Sequence, residues 1–270
     1  MTYGTEHVSV RFGNVQALDQ VTVSTDAGTV TAVVGGDGAG KSTLLRTVVG
    51  RIAPAGGRVL APPEQQIGYQ PSVGGTWADL TVAQNLEFVG GTYGLQGSRL
   101  ARRSEELIER AGLTAARDRL ARDLSGGMRT KLGFCLAMVH EPTLLVLDEP
   151  STGVDPVSRV ELWRLLSEVA AAGTAVLLST TYLDEAERAS RVVVLKDGRT
   201  LLSGSPDEVI ASSPGVVVRT DTAIRQGFAW RHADGFREWW PQVPDGQQPV
   251  QVDLEDVAII ASLIQHRSIE

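Results

Sequence analysis

Cysteine is almost missing from this chain: 270 residues contain one, Cys135. An internal disulfide is therefore excluded, and the usage fits a reducing compartment. Leu132, Leu136 and Val139 surround Cys135 in sequence, so it reads as a small core residue and not as a nucleophile. Long apolar runs are also missing; none approaches the ~18 residues of a bilayer-spanning helix. Met1 to Arg11 is polar where a secretory leader would carry an apolar core. Work at a membrane is thus expected to need a second chain that does the spanning. Basic residues are in deficit, with 25 Lys and Arg against 32 Asp and Glu and a net charge of −7. Such a balance does not suggest nucleic acid as a partner. What remains is ordinary for a globular protein: 42% hydrophobic and 21% charged residues, enough for one large domain or a medium one with an appendage.

Glycine is where the chain is rich. Gly35, Gly36, Asp37, Gly38, Ala39, Gly40, Lys41, Ser42 and Thr43 fill the template G-x-x-x-x-G-K-[ST]. Backbone N–H groups can wrap triphosphate oxygens only where side chains do not intrude. Lys41 supplies a point charge for the β- and γ-phosphates, and the Ser42 hydroxyl suits a Mg²⁺ ion. The apolar run Thr29–Val34 before the loop predicts a buried strand. Lys41 to Gly50 after it predicts a helix with Leu44, Leu45 and Val48 on one face. Strand, glycine loop and helix together aim a helix N-terminus at an anion.

Elsewhere the periodicity predicts half-buried antiparallel strands at Val8–Phe12 and Val21–Thr25, and further strands near Arg58–Leu60 and Gln66–Tyr69. Thr81 and Gln84 read as a capping box opening a helix, and Ser98–Ala111 repeats the helical period. Thr143–Leu147 and Ala175–Leu178 are short apolar strands, and Asp155-Pro156 opens a helix between them. Arg191–Leu195 and Thr200–Ser203 flank a turn as a hairpin, and Ser205 to Glu208 begins another helix. Strands alternating with helices behind a phosphate loop predict an α/β fold with a mainly parallel sheet flanked by helices. The expected division is a main domain over 1–213, with a helical insertion at about 72–140, and a small α/β extension over 214–270. In that extension Val216–Val218 and Val250–Val252 are expected as strands and Leu254–Gln265 as a helix. Trp230, Trp239 and Trp240 are expected to pack onto the main domain.

Two more motifs carry chemistry. Asp148-Glu149 ends an apolar strand; the first acid suits Mg²⁺ held through water and the second can polarise an attacking water. Leu124-Ser125-Gly126-Gly127-Met128 opens a helix whose cap hydroxyl and glycine N–H groups face one anion. One chain already has one phosphate loop, so a second anion-binding helix end points to a head-to-tail dimer.

Here the chain resembles the ATP-binding domain of ABC transporters, a P-loop NTPase fold with an N-terminal antiparallel β-subdomain, over roughly residues 5–210. Walker A is Gly35–Thr43, Walker B is Leu144–Asp148, and Leu124–Met128 is similar to the family signature. Ser151-Thr152-Gly153-Val154-Asp155 looks like the D-loop, with Asp155 its acid. Phe12 stands where the family stacks an aromatic on adenine. The resemblance implies ATP and Mg²⁺ as cofactors, Glu149 as the catalytic carboxylate, and Ser42 and Asp148 on the metal. It implies two partners, a second ATP-binding domain and a transmembrane permease subunit that holds the protein on the cytoplasmic face of the membrane. Leu80–Leu95 and Leu254–Val257 are similar to exporters of the drug, polysaccharide or lipid type.

Two positions depart from the family. Ser72 stands in place of the Q-loop glutamine, with Gln70 two residues earlier, and Thr181 replaces the switch histidine. A hydroxyl can hydrogen-bond a phosphate but carries no positive charge. Gly36 and Asp37 replace the usual proline and asparagine of the phosphate loop. The joint loss at 72 and 181 predicts good ATP binding with slow hydrolysis, as in a weak or regulatory half of a heterodimer. The alternative, an ABC protein acting in translation or DNA repair, is expected to carry paired ATP domains or a long coiled coil, and neither pattern is here.

Overall fold

Val8, Val10, Val21 and Val23 are buried on one face of an antiparallel hairpin, as two-residue alternation requires. Its strands are β1 (Thr2–Phe12) and β2 (Val15–Asp26). The chain then enters β3 (Val30–Val34) and α1 (Lys41–Val48), and returns as β4 (Gly56–Leu60) to complete a sheet of order β2-β1-β4. The computed structural model describes residues 1–225, 227–232 and 235–267, so parts of the expected 214–270 extension lie outside the described residues.

β5 (Ile67–Gln70) leads into three helices, α2 (Val82–Thr92), α3 (Gly97–Arg110) and α4 (Gly126–Met138). The Thr81–Gln84 capping box at the head of α2 has both of its reciprocal bonds. β6 (Leu144–Asp148), α5 (Pro156–Ala171), β7 (Ala175–Thr180), α6 (Leu183–Ala186), β8 (Arg191–Lys196), β9 (Arg199–Gly204) and α7 (Pro206–Ala211) follow. The central sheet has the order β5-β6-β7-β3-β8-β9, parallel except for β9.

β3, β6 and β7 are buried along their whole lengths because both faces of the sheet are covered. Leu144, Val146 and Leu177 point to α1 and the N-terminal sheet. Leu145, Leu147 and Leu178 point to the opposite side, into a core built with the helices. Successive strand residues therefore serve different cores. The strand ends of β6, β7 and β3 lie side by side, and the phosphate loop leaves from the last of them.

The C-terminal region differs from its sequence reading in two ways. Its strands are β10 (Val216–Thr220), β11 (Ala229–His232) and β12 (Gly235–Trp240), in the order β10-β12-β11, followed by α8 (Leu254–Arg267). Val250–Val252 is not a strand. It makes one bond to Val217 O, at 2.8 Å, beside a single bridge between Val218 and Pro249. Pro249 has no N–H to continue the ladder. Among the described residues none of the extension's three tryptophans belongs to the two main hydrophobic clusters, and two of them hydrogen-bond inside the extension. Trp230 Nε1 donates to Asp256 Oδ1 at 3.1 Å and Trp239 Nε1 to the Pro214 carbonyl at 2.5 Å. The main core is reached instead by Leu254 and Val257 of α8.

Cys135 is fully buried on α4, and desolvation pushes its thiol pKa up to about 12. The native thiol is thus expected to react with a disulfide reagent at pH 8 on the order of 100-fold slower than the urea-unfolded chain. Absorbance of the released thiolate, with and without urea, checks this.

Candidate functional site

Lys41 is the first residue of α1 and only 4% exposed. Its ammonium donates to the carbonyls of Gly35 at 2.7 Å and Gly36 at 3.2 Å, and lies 3.0 Å from Glu149 Oε1. Glu149 follows β6 with φ at 49°, a left-handed conformation uncommon for a residue with a Cβ. That turn aims its carboxylate back at Lys41. The other oxygen, Oε2, accepts from Thr152 Oγ1 at 3.1 Å.

The glycines at the loop's two ends are sterically required. A Cβ on Gly35 would sit 2.4 Å from Leu195 O, and one on Gly40, at φ 104°, 2.8 Å from Ala17 O. The cleft over the loop has a volume of about 470 Å³. It is lined by residues 36–43 and Glu149, and on the far side by Val15, Gln16, Ala17, Asp197 and Gly198. The last five had no motif to announce them. The turn at Asp197-Gly198 is bolted in place by Gly198 N to Ala39 O at 3.1 Å and Asp19 N to Gly198 O at 2.8 Å.

Beside the cleft, Asp148 is fully buried. Its Oδ1 accepts from Ser42 Oγ at 2.9 Å and Ser179 Oγ at 2.8 Å, while its Oδ2 is buried without a partner among the described residues. An unmatched carboxylate oxygen next to a serine hydroxyl is a hard-oxygen donor set, and it fits a Mg²⁺ ion. Ser179 also accepts the Glu149 N–H at 2.9 Å. Ser179 and Asp148 are register partners on adjacent parallel strands. A lone serine closing the apolar run Ala175–Leu178 was the only signal the sequence offered for it.

The other predicted residues lie elsewhere. Phe12 is 52% exposed at the end of β1, paired with the cleft-lining Val15 but outside the lining itself. Ser125 caps α4, accepting the Met128 N–H at 3.3 Å. Neither Ser125 nor Gly126, Gly127 or Met128 lines the cleft of its own chain. Gly127 packs against α5, where a Cβ would meet Ser158 Oγ at 2.4 Å, and Asp155 caps that helix. Gln70 does not stand in for a cleft glutamine. It is buried against Gly133 of α4 and donates to Thr130 O at 3.3 Å, facing the helical insertion. Ser72 is exposed. Thr181 lines a separate apolar groove whose other wall is α8, with Ile259 and Leu263.

The family model for ABC transporters matches residues 18–152, half of the chain. This chain belongs to the ABC transporter family, as an ATP-binding domain. It is 40% identical over 213 residues to the daunorubicin resistance ATP-binding protein DrrA2 of Streptomyces coeruleorubidus, a match covering 75% of this chain and 66% of that one. It is 39% identical over 199 residues to the probable multidrug ABC transporter ATP-binding protein YbhF of Escherichia coli, covering 70% of this chain and 34% of the relative. The chain thus spans between a third and two thirds of these relatives. A solved ATP-binding subunit of an ABC transporter superposes with a TM-score of 0.71 at 28% identity, covering 78% of this chain and 92% of that one.

In this ABC domain Ser179 bridges the two acids at the end of β6. Ser179→Ala removes a donor to Asp148 and strands the Glu149 N–H, so it is expected to cost about 1–3 kcal/mol of stability. Urea unfolding of the two proteins measures the difference.

Proposed function

We propose that the chain is the ATP-hydrolysing subunit of an exporter, working as one half of an ATP sandwich beneath a transmembrane permease. The observation that carries this reading is the Lys41–Glu149 pair at the mouth of the phosphate loop. An ammonium has three N–H donors, and Lys41 directs them at Gly35 O, Gly36 O and Glu149. Triphosphate oxygens entering the cleft compete for the same charge. As Lys41 turns to phosphate, the Glu149 carboxylate is released to polarise a water. Ser42 and Asp148 would hold Mg²⁺, which supplies charge neutralisation on the phosphates. Ser179 keeps Asp148 and the Glu149 backbone in place throughout.

Closure over the γ-phosphate calls on a second chain, because Ser125 and its glycines lie outside their own cleft. Asp155 would accompany Ser125 into the seam, since both cap helices that pack together at Gly127. Phe12 and Val15 would border the adenine. The permease has a surface suited to it between β5 and the helical insertion. There Val73, Trp77, Phe88 and Tyr93 are exposed, and Trp77 and Phe88 meet edge to face at 4.7 Å. Val73, Trp77 and Tyr93 line one groove, with Phe88 against Trp77 beside it, and exposed apolar groups gathered this way favour a protein contact. Among the described residues no helix is long and apolar enough to cross a membrane, so the protein would sit on the cytoplasmic face through that contact. The names of the relatives support drug-type export as the transported class.

A slower, regulatory version of this activity is favoured by one further observation. Thr181 lies in the groove under α8, and its side chain offers a phosphate a hydroxyl and no positive charge.

Glu149→Gln is expected to lower ATP turnover by about 100-fold or more while nucleotide binding holds or tightens, because the competitor for Lys41 is neutralised. Phosphate release and binding of a fluorescent ATP analogue read the two effects; a loss of binding with turnover intact would refute the assignment. Cysteines placed at Ser125 and Asp37 are expected to crosslink between subunits in ATP and not without it, with the native partner supplied.

A further inference from the structure

Glu185 is a buried carboxylate outside the nucleotide cleft, in the segment that follows the switch position Thr181. It lies on the short α6 and is 3% exposed. A charge removed from water this far must be answered by several partners. Its Oε2 accepts two hydroxyl bonds, from Ser151 Oγ at 2.7 Å and Thr180 Oγ1 at 2.8 Å. Its Oε1 has Arg159 Nε at 3.7 Å, an ion-pair contact, and no hydrogen bond among the described residues.

Each partner belongs to a segment that also carries a residue named at the proposed site or its seam. Ser151 stands two residues after Glu149, in a turn closed by Thr152 N to Glu149 O at 3.2 Å and Val154 N to Ser151 O at 3.1 Å. That turn continues to Asp155. Thr180 ends β7, and its Oγ1 also accepts the Tyr182 N–H at 3.0 Å, so the residues on both sides of Thr181 are clamped. Arg159 lies on α5, pairs with Asp184 at 3.3 Å and sits 4.7 Å over the Tyr182 ring. One carboxylate thus ties together the turn after Glu149, the flanks of Thr181 and the helix that Asp155 caps.

We propose that Glu185 is a positioning residue for ATP hydrolysis, fixing the Glu149–Asp155 turn and the Thr181 segment in one mutual geometry. The inference rests on the hydrolytic reading of the Lys41–Glu149 site. An uncharged threonine can offer a phosphate one hydroxyl bond but no net charge, so its placement is left to its neighbours. Those neighbours are held by Glu185. The carboxylate touches neither Lys41 nor the cleft lining, so it acts on the chemical step and not on nucleotide capture.

Glu185→Gln keeps the volume and removes the charge. Turnover by the complex with its native partner is expected to fall about ten- to hundredfold. KM for ATP is expected to stay within about twofold. The companion measurement needs no turnover: backbone amide exchange of the nucleotide-free protein at Tyr182. Ser151→Ala should accelerate that exchange by about tenfold through the shared carboxylate, and should add nothing when Glu185→Gln is already present. Tyr182 exchange indifferent to Ser151→Ala would overturn the proposal, as would a Glu185→Gln enzyme with unchanged turnover. Wild-type complex that binds ATP without hydrolysing it would instead remove the hydrolytic reading and the catalytic role of Glu185 with it, and the exchange result would show whether the physical tie survives that loss.

Discussion

An ammonium group held at 4% exposure must be met by acceptors, and the way Lys41 is met organises the site. Two of its acceptors are carbonyls of the phosphate loop, and the third is the acid at the end of β6. The loop and the acid are thereby registered on one charge before any ligand arrives. On the proposed mechanism phosphate would enter this arrangement by exchange, a ligand that satisfies Lys41 setting Glu149 loose. Binding and activation of the carboxylate would then be two sides of one substitution.

The sheet makes this possible by placing β7 between β6 and β3. Ser179, near the end of β7, reaches Asp148 across one strand pair, and Asp148 reaches Ser42 at the start of α1. A continuous run of short polar contacts therefore crosses the ends of the central strands, walled by apolar residues on both faces. In that low-dielectric setting each contact is stronger than it would be in water, and an unmatched atom such as Asp148 Oδ2 is correspondingly costly until it finds a cation. Glu185 extends the same logic one layer outward, to the turn after Glu149 and the end of β7.

Features written locally were legible in the sequence. The phosphate loop, the capping boxes at Thr81 and Ser205, and the Asp155 cap each depend on residues three or four apart, and each is found where the local pattern put it. The hairpin β8–β9 and the buried strands were legible for the same reason. Contacts between distant segments were not. Ser179 matters because of its register with Asp148, Glu185 because α6 folds back on Ser151, and neither relation leaves a periodic trace. The expected strand Gln66–Tyr69 stopped one residue short of Gln70, and which way Gln70 faces was decided by the space left beside Gly133. The hairpin of β11 and β12 was hidden by tryptophans and short loops, and Val250–Val252 looked like a strand because apolar alternation does not register the missing donor of Pro249.

The position of α8 alters what the C-terminal region is. Leu254 and Val257 are inside the main hydrophobic core, and Lys196 of β8 donates to both the carbonyl and the hydroxyl of Ser262, at 3.2 and 2.7 Å. Leu263 and Ile259 then face the glycines of the phosphate loop across a shared groove. A helix mounted this way is a wall of the nucleotide-binding domain and not cargo hung from it. Heat or denaturant should therefore meet the two regions as one cooperative unit, and shortening the chain ahead of Leu254 would strip the core of a wall.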